Sequence, residues 1–175
     1  MESLGLVFQV IPPTIEEDWE SNDLPSDLVM RLAKDKARSV SQEHEKATIL
    51  AADTIVVKDG QILGKPQDYN EACNMLSLLS GSEHVVLTGM CLLNRASDFE
   101  IVDYDATTVF FRELSSQEIA RYVNSGEPFD KAGGYGIQGR GALLVSGIEG
   151  CYYNVVGLPL AKLQTMLNSV GISLL

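Results

Sequence analysis

The spacing between hydrophobic residues changes several times along the chain, and each change marks the start of another predicted helix or strand. An apolar run at residues 49–57, interrupted by one polar pair, is typical of a strand covered on both faces. Apolar positions that recur every three to four residues predict helices at residues 26–41 and 68–81, the second with an aspartate cap and a glycine stop. Shorter patterns predict strands at residues 6–11, 61–63, 84–93, 101–111, 142–148 and 152–156, and helices at residues 115–125 and from Pro159 onward.

Strands and helices are mixed along the whole sequence, and no internal repeat or linker separates them. This mixture is typical of an α/β fold, in which helices cover a sheet. A chain of 175 residues is long enough to bury one substantial core. We therefore expect a single two-lobed α/β domain over residues 1–175, built on a long mixed β-sheet flanked by helices.

The net charge of the chain restricts the kinds of molecule that it is expected to bind. The chain has 13 Lys and Arg residues against 24 Asp and Glu residues, and the resulting net charge of −11 repels phosphate backbones. No apolar run approaches the roughly 20 residues that span a bilayer, and the start of the sequence lacks the features of a signal peptide. We expect a cytoplasmic protein that binds neither nucleic acid nor membrane.

Cysteine and histidine residues are too scattered to form a metal or disulfide framework. The three cysteines are far apart in the sequence, and the two histidines are isolated from each other and from them. Zinc sites and disulfide scaffolds need closely spaced pairs of such residues. Any metal ion is therefore expected to be held by oxygen atoms.

Lys36 breaks the apolar pattern of the first predicted helix. The apolar residues of that helix form one arc, and Lys36 falls near the middle of the arc. A lysine there is costly unless it meets an anion, although its long stem also allows the ammonium group to reach solvent. We favour the interpretation in which Lys36 faces a ligand, with the solvent-reaching side chain as the alternative.

Asp53 places a carboxylate inside the apolar run at residues 49–57. Buried carboxylates persist when they are paired, hydrogen-bonded or bound to metal. Because perturbed charged groups cluster at functional sites, we interpret Asp53 as an active-site carboxylate. A structural salt bridge, for example to Lys36, is the alternative.

A predicted hairpin brings a second lysine to the same place. Asp59 and Gly60 form a two-residue turn signal between the strands at residues 49–57 and 61–63. The register of such a hairpin returns Lys65 beside Asp53 and its neighbour Thr54. Two lysines and one carboxylate are then expected to converge.

Residues 125–141 form the most glycine-dense segment of the sequence. Glycines allow backbone N–H groups to approach a ligand closely. Within the segment, Asp130, Lys131 and Gln138 offer contacts to metal, phosphate and base respectively. An ordinary flexible surface loop is the alternative.

Together these segments resemble the Maf family of nucleotide pyrophosphatases, which is related in fold to the inosine triphosphatases. The resemblance rests on several independent blocks that span most of the chain in the order of the family. They are ADTIVV at 52–57, GKP at 64–66, LSG at 79–81, TG at 88–89, SGEPFDKAGGYGIQGRG at 125–141 and NVVGLPL at 154–160. The resemblance implies an inosine-triphosphatase-like (Maf-like) fold.

The activity implied by the resemblance is hydrolysis between the α- and β-phosphates of a nucleoside triphosphate, with Mg²⁺ or Mn²⁺ bound. Asp53 matches the proton acceptor of the family, and Lys36 and Lys65 match its phosphate-contacting lysines. The chemistry is coherent, because a carboxylate can deprotonate water while cations neutralise the phosphates.

The resemblance also implies a metal ligand and a substrate preference. Glu17 resembles a further carboxylate that helps to hold the metal together with Asp130, and an exposed acidic turn is the alternative for Glu17. Thr54 and Gln138 match positions associated with dTTP and UTP preference in one branch of the family. We therefore expect a pyrimidine nucleotide as the substrate.

One departure from the family pattern concerns the start of the sequence. Family members begin with a strand and a Ser-rich loop with paired arginines, ahead of the segment that resembles residues 1–6. We expect the lack of that loop to weaken charge stabilisation in the transition state more than it weakens the fold.

The alternative function is that of a catalytically weak, nucleotide-binding regulator of septum formation and cell division. A homodimer is left open.

Overall fold

The computed structural model describes residues 5–15 and 23–174. Its helices are α1 (Pro25–Ser41), α2 (Tyr69–Leu79), α3 (Ser116–Val123), α4 (Tyr152–Val156) and α5 (Leu160–Ser169). Its strands are β1 (Ile49–Lys58), β2 (Gln61–Leu63), β3 (Glu83–Asn94), β4 (Phe99–Phe111) and β5 (Val145–Glu149). Three short 3₁₀ turns follow α3, at Glu127–Asp130, Ala132–Gly134 and Gly139–Leu143.

The strands form one five-stranded sheet in the order β2-β1-β3-β4-β5. The predicted α/β class is confirmed, but the strand directions differ from the mixed sheet that we expected. Each neighbouring pair in the described ranges is antiparallel. Short turns join β1 to β2 and β3 to β4, and such turns produce antiparallel pairs, whereas a parallel pair needs a long crossover.

Helices cover both faces of the sheet, as the apolar run of β1 predicts. Ile55 packs in a cluster with Leu28 and Leu32 of α1, whereas its neighbour Val56 packs in a cluster with Leu76 of α2. Successive side chains of a strand point to opposite faces, so α1 lies on one face and α2 on the other. The sheet is therefore an internal layer of the fold.

A glycine sets the distance between α1 and the sheet. A Cβ atom at Gly89 of β3 would lie 2.2 Å from the carbonyl oxygen of Val29. No side chain fits at that separation, so the backbone of α1 rests directly on β3. This close contact fixes the position of Lys36 over β1.

Two predicted strands are wrong. Residues 152–156 form α4, in which Asn154 is fully buried, so tertiary contacts override the preference of its β-formers. Residues 6–11 form no strand. Instead, residues 7–11 line a groove beside α1 and the start of β1.

None of the helices within the described ranges has the length and apolar character needed to cross a bilayer.

Candidate active site

A cleft of about 310 Å³ opens where β1, the glycine-rich segment and α4 meet. Six of the eight predicted site residues line it: Asp53, Thr54, Lys65, Asp130, Lys131 and Gln138. Lys36 lies in the adjoining groove, which shares Ala52 and Gly157 with the cleft. Glu17, the eighth, lies outside the described residues.

Asp53 and Lys36 form an ion pair between β1 and α1. The Lys36 ammonium group donates a hydrogen bond to Asp53 Oδ1, and their side chains are only 15% and 8% exposed respectively. Low exposure makes this pair less screened than a surface pair. The neighbouring ammonium group favours the ionised form of the carboxylate, which is the form that can accept a proton.

Thr54 points to the opposite face of the sheet from Asp53, because the two residues are adjacent on one strand. Both residues nevertheless line the cleft. It reaches them around the edge of the sheet, since the pairing of β1 with β2 stops at Val56 opposite Leu63. One strand thus presents a charged group and a hydroxyl group to the same cleft.

The hairpin between β1 and β2 has the predicted form. Asp59 and Gly60 have φ angles of 50° and 80°, as a two-residue hairpin turn requires. Lys58 pairs with Gln61 across this turn. Continuing that register beyond β2 places Lys65 opposite Thr54, and both residues line the cleft.

Backbone contacts close the glycine-rich segment on itself. The Glu127 carboxylate accepts hydrogen bonds from the N–H groups of Arg140 (3.2 Å) and Gly141 (3.3 Å). The Tyr122 hydroxyl accepts one from the N–H of Gly136 (3.2 Å). A Cβ atom at Gly141 would lie 2.0 Å from the carbonyl oxygen of Gly136. These contacts brace the segment, and they favour the ligand-binding interpretation over a flexible surface loop.

The same segment carries a charged pair at the cleft. The Lys131 ammonium group donates a hydrogen bond to Asp130 Oδ1 at 2.7 Å. This contact lowers the pKa of the Asp130 carboxyl group. The stem of Lys131 crosses Gly136 so closely that a Cβ atom there would lie 2.7 Å from Lys131 Cδ and Cε. The glycine thus determines the path of the lysine side chain.

An aromatic cluster lies under the cleft. The Tyr135 hydroxyl lies 2.7 Å from His84 Nε2, and both rings pack edge-to-face with Phe111. Burial lowers the pKa of His84 to about 4, and Lys58 adds to the shift, so the imidazole is neutral at pH 7. Only Tyr135 of the three residues lines the cleft.

The chain also matches a family of known proteins. A family model described as Maf-like protein matches residues 1–170. The chain belongs to the Maf family. The resemblance of its sequence blocks is thereby confirmed.

Several relatives of this Maf chain are named dTTP/UTP pyrophosphatase. The relative from Symbiobacterium thermophilum is 50% identical over 171 residues, which cover 98% of this chain and 87% of the relative. The relative from Syntrophomonas wolfei is 45% identical over 175 residues, which cover 100% and 93%. The relative from Clostridioides difficile is 47% identical over 167 residues, which cover 95% and 86%.

The Maf cleft also depends on residues to which the sequence analysis assigned no individual role. Glu127 and Tyr122 hold the glycine-rich segment, and Thr88 and Asn154 lie beneath Thr54. An asparagine within an apolar stretch is a signal of the same kind as Asp53, and Asn154 follows this pattern. Glu127 and Tyr122 carry no such signal, because charged and aromatic residues are ordinary in loops and helices.

The oxygen atoms of the Maf cleft fit a cation that is shared with a substrate. Asp53 and Asp130 both line the cleft. In the described part of the chain, no group of three or more His, Cys, Asp and Glu residues is placed to hold a metal. Mg²⁺ is usually bound by one or two carboxylates together with substrate phosphates. The two aspartates match that donor set.

Proposed function

We propose that this chain is a nucleoside triphosphate pyrophosphatase that hydrolyses dTTP and UTP to the monophosphate and pyrophosphate. The observation that carries the proposal is the cleft lined by Asp53, Lys65, Lys131 and Gln138. Lys36 pairs with Asp53 from the adjoining groove. The names of relatives at 45–50% identity support the same substrates.

Asp53 acts as the general base in this proposal. It accepts a proton from the water that attacks the α-phosphate, and the bond from the α-phosphorus to the bridging oxygen breaks to release pyrophosphate. Lys36 holds Asp53 in place and keeps it ionised until the transfer. A positioned base contributes on the order of 10²–10⁴ to such rates.

Lys65 and Lys131 bind the phosphates from two sides of the cleft. Lys65 follows the β1–β2 hairpin, and Lys131 belongs to the glycine-rich segment. Their ammonium groups offset the negative charge of the triphosphate and of the departing pyrophosphate. A compact ammonium group suits phosphate because it offers several donors to whichever oxygen atoms approach.

A divalent cation, Mg²⁺ or Mn²⁺, completes the proposed site. Asp53 and Asp130 would hold it, with Glu17 as a further candidate ligand. When bound, such a cation neutralises charge on the phosphate oxygens. The Asp130 carboxyl group is suited to the role because its lowered pKa keeps it ionised.

Thr54 and Gln138 recognise the base in this proposal. The Gln138 amide offers both a donor and an acceptor, and the Thr54 hydroxyl adds a polar atom at the other side of the cleft. A pyrimidine edge needs such a set of contacts. The cytoplasmic location stays a prediction, and the homodimer stays open.

The test is the identity of the released product. With UTP or dTTP and Mg²⁺, we expect pyrophosphate and the monophosphate, and slower turnover of GTP. Orthophosphate as the primary product contradicts the proposal. Binding of UTP without turnover favours the regulatory alternative.

A further inference from the structure

A chain of buried polar groups runs from Thr54 to α4. Thr54 on β1 and Thr88 on β3 are cross-strand neighbours, and their Oγ1 atoms are 2.9 Å apart. Thr88 Oγ1 lies 2.9 Å from the carbonyl oxygen of Asn154. Thr88 and Asn154 are both fully buried, so water does not compete for these contacts.

The chemistry of the three groups decides which hydroxyl donates. The Asn154 carbonyl oxygen can only accept, so the hydrogen atom of the Thr88 hydroxyl must point to it. If it pointed to Thr54 instead, two oxygen lone pairs would face each other at 2.9 Å. A hydroxyl group has a single hydrogen atom, so Thr54 must donate its own to Thr88. Toward any other partner, the Thr54 hydroxyl group can therefore only accept a hydrogen bond.

Asn154 is fixed tightly enough to impose this direction. Its side-chain Nδ2 donates to the carbonyl oxygen of Val86 (2.9 Å) and to Thr107 Oγ1 (3.0 Å). The N–H of Gly157 donates to its carbonyl oxygen at 2.9 Å, so this oxygen stays oriented as an acceptor. The sheet and α4 therefore hold the far end of the chain in place.

We propose that Thr88 is a positioning residue that makes Thr54 a hydrogen-bond acceptor toward the cleft and thereby selects uracil and thymine over cytosine. This inference rests on the proposed function, because Thr54 lines the cleft that binds the base. Uracil and thymine carry an N3–H donor that pairs with an acceptor. Cytosine presents a lone pair at N3, and two acceptors that face each other leave both unpaired.

The experiment compares UTP with CTP in the wild type, Thr88→Val and Thr88→Ser. Valine keeps the shape of Thr88 but removes the group that takes the hydrogen atom of Thr54. The freed Thr54 hydroxyl can then rotate and donate to cytosine. We expect the ratio of kcat/KM for UTP over CTP to fall about tenfold, mainly through KM. The reason is that a favourable hydrogen bond to cytosine replaces an unfavourable contact between two acceptors. Serine keeps the hydroxyl group and should keep the ratio.

Thr107→Val is the matched control. Thr107 is almost fully buried, and its hydroxyl group contacts Cys151 and Asn154, whereas the hydroxyl partner of Thr54 is Thr88. Its loss should lower stability and overall turnover while the UTP to CTP ratio stays within about twofold of the wild type. A ratio that falls equally in both valine variants overturns the inference, because the effect is then general loosening of α4.

Binding of α,β-imido analogues of UTP and CTP separates this inference from the proposed function. These analogues resist cleavage, so selectivity can be measured in a protein that turns nothing over. A wild type that binds both analogues equally overturns the inference even if Thr88→Val does not fold. A wild type that prefers the UTP analogue, with the preference lost in Thr88→Val, supports it even if no pyrophosphate is released. The absence of pyrophosphate release on its own would reject only the proposed function.

Discussion

Single residues that violate their local pattern mark the site most clearly. Asp53 interrupts an apolar strand and Lys36 interrupts an apolar helix face, and the structure makes them partners. The sequence left a catalytic carboxylate and a structural salt bridge open as alternatives. The ion pair is compatible with both interpretations, because a paired carboxylate at the wall of a cleft can stabilise the fold and can also accept a proton.

Asp53→Asn tests this dual role. We expect turnover of UTP to fall by on the order of 10²–10⁴, because the amide cannot accept the proton. Breaking a buried pair costs roughly 3–5 kcal/mol, and we expect a loss at or below the lower end because the amide oxygen still accepts from Lys36. Pyrophosphate release and urea unfolding on one preparation measure both effects.

Asp103→Asn provides the control for charge removal. Asp103 pairs with Lys162 on the surface, where its side chain is 45% exposed, so the same substitution should cost under about 1 kcal/mol and leave turnover intact. Near-normal turnover in Asp53→Asn, together with a large loss of stability, would assign Asp53 to structure alone.

At the scale of elements, the glycine-rich segment shows what composition can and cannot predict. Its glycine density predicts that backbone N–H groups approach a ligand, and this stays a prediction. Within the segment, the glycines allow one part of the backbone to pack closely on another, as Gly141 does on Gly136. The contacts that close the segment come from Glu127 and Tyr122, which composition does not reveal. These contacts hold Lys131 and Gln138 at the cleft.

Gly141→Ala should disturb both the fold and the site. The added methyl group meets a backbone oxygen that cannot rotate away, so we expect a loss of about 1–3 kcal/mol in the free energy of unfolding. Displacement of the segment should also raise KM for UTP. Urea unfolding and steady-state kinetics measure the two effects.

Gly147→Ala is the matched control for this substitution. A Cβ atom at Gly147 of β5 meets nothing within 4 Å, so its effect should stay within about 0.5 kcal/mol. Equal effects of the two substitutions would show that the close contact at Gly141 is not important for the site.

At the scale of the whole molecule, the cleft gathers positive charges on a chain whose net charge is negative. The chain carries a net charge of −11, yet three lysines, Lys36, Lys65 and Lys131, gather at the site against Asp53 and Asp130. A nucleoside triphosphate therefore meets local cations on a protein that otherwise repels it. Binding of such a ligand couples β1, the hairpin, the glycine-rich segment and α4.

A ligand that joins these elements should stabilise the whole fold. At a concentration of about 100 times Kd, α,β-imido-UTP with Mg²⁺ should add about 2.7 kcal/mol to the free energy of unfolding. For a domain of this size, that gain corresponds to a rise in Tm of roughly 5–10 °C. Differential scanning fluorimetry measures the shift. The GTP analogue at the same concentration should give a smaller rise, and equal shifts would contradict pyrimidine selectivity.

The sequence alone determined most of the elements and singled out the four charged residues that line the cleft. The spacing of apolar residues, the turn signals and the helix caps are local properties of the sequence. They predict α1, the β1–β2 hairpin and the capped start of α2. Charged residues in apolar patterns are also local, which is why Asp53 and Lys36 stood out.

Only the tertiary structure decided how these parts meet. Strand direction and the helical form of residues 152–156 depend on packing between distant segments, which local preferences do not encode. The direction of the hydrogen bond from Thr54 depends on a carbonyl group 100 residues further along the chain, because the fold holds that acceptor against Thr88.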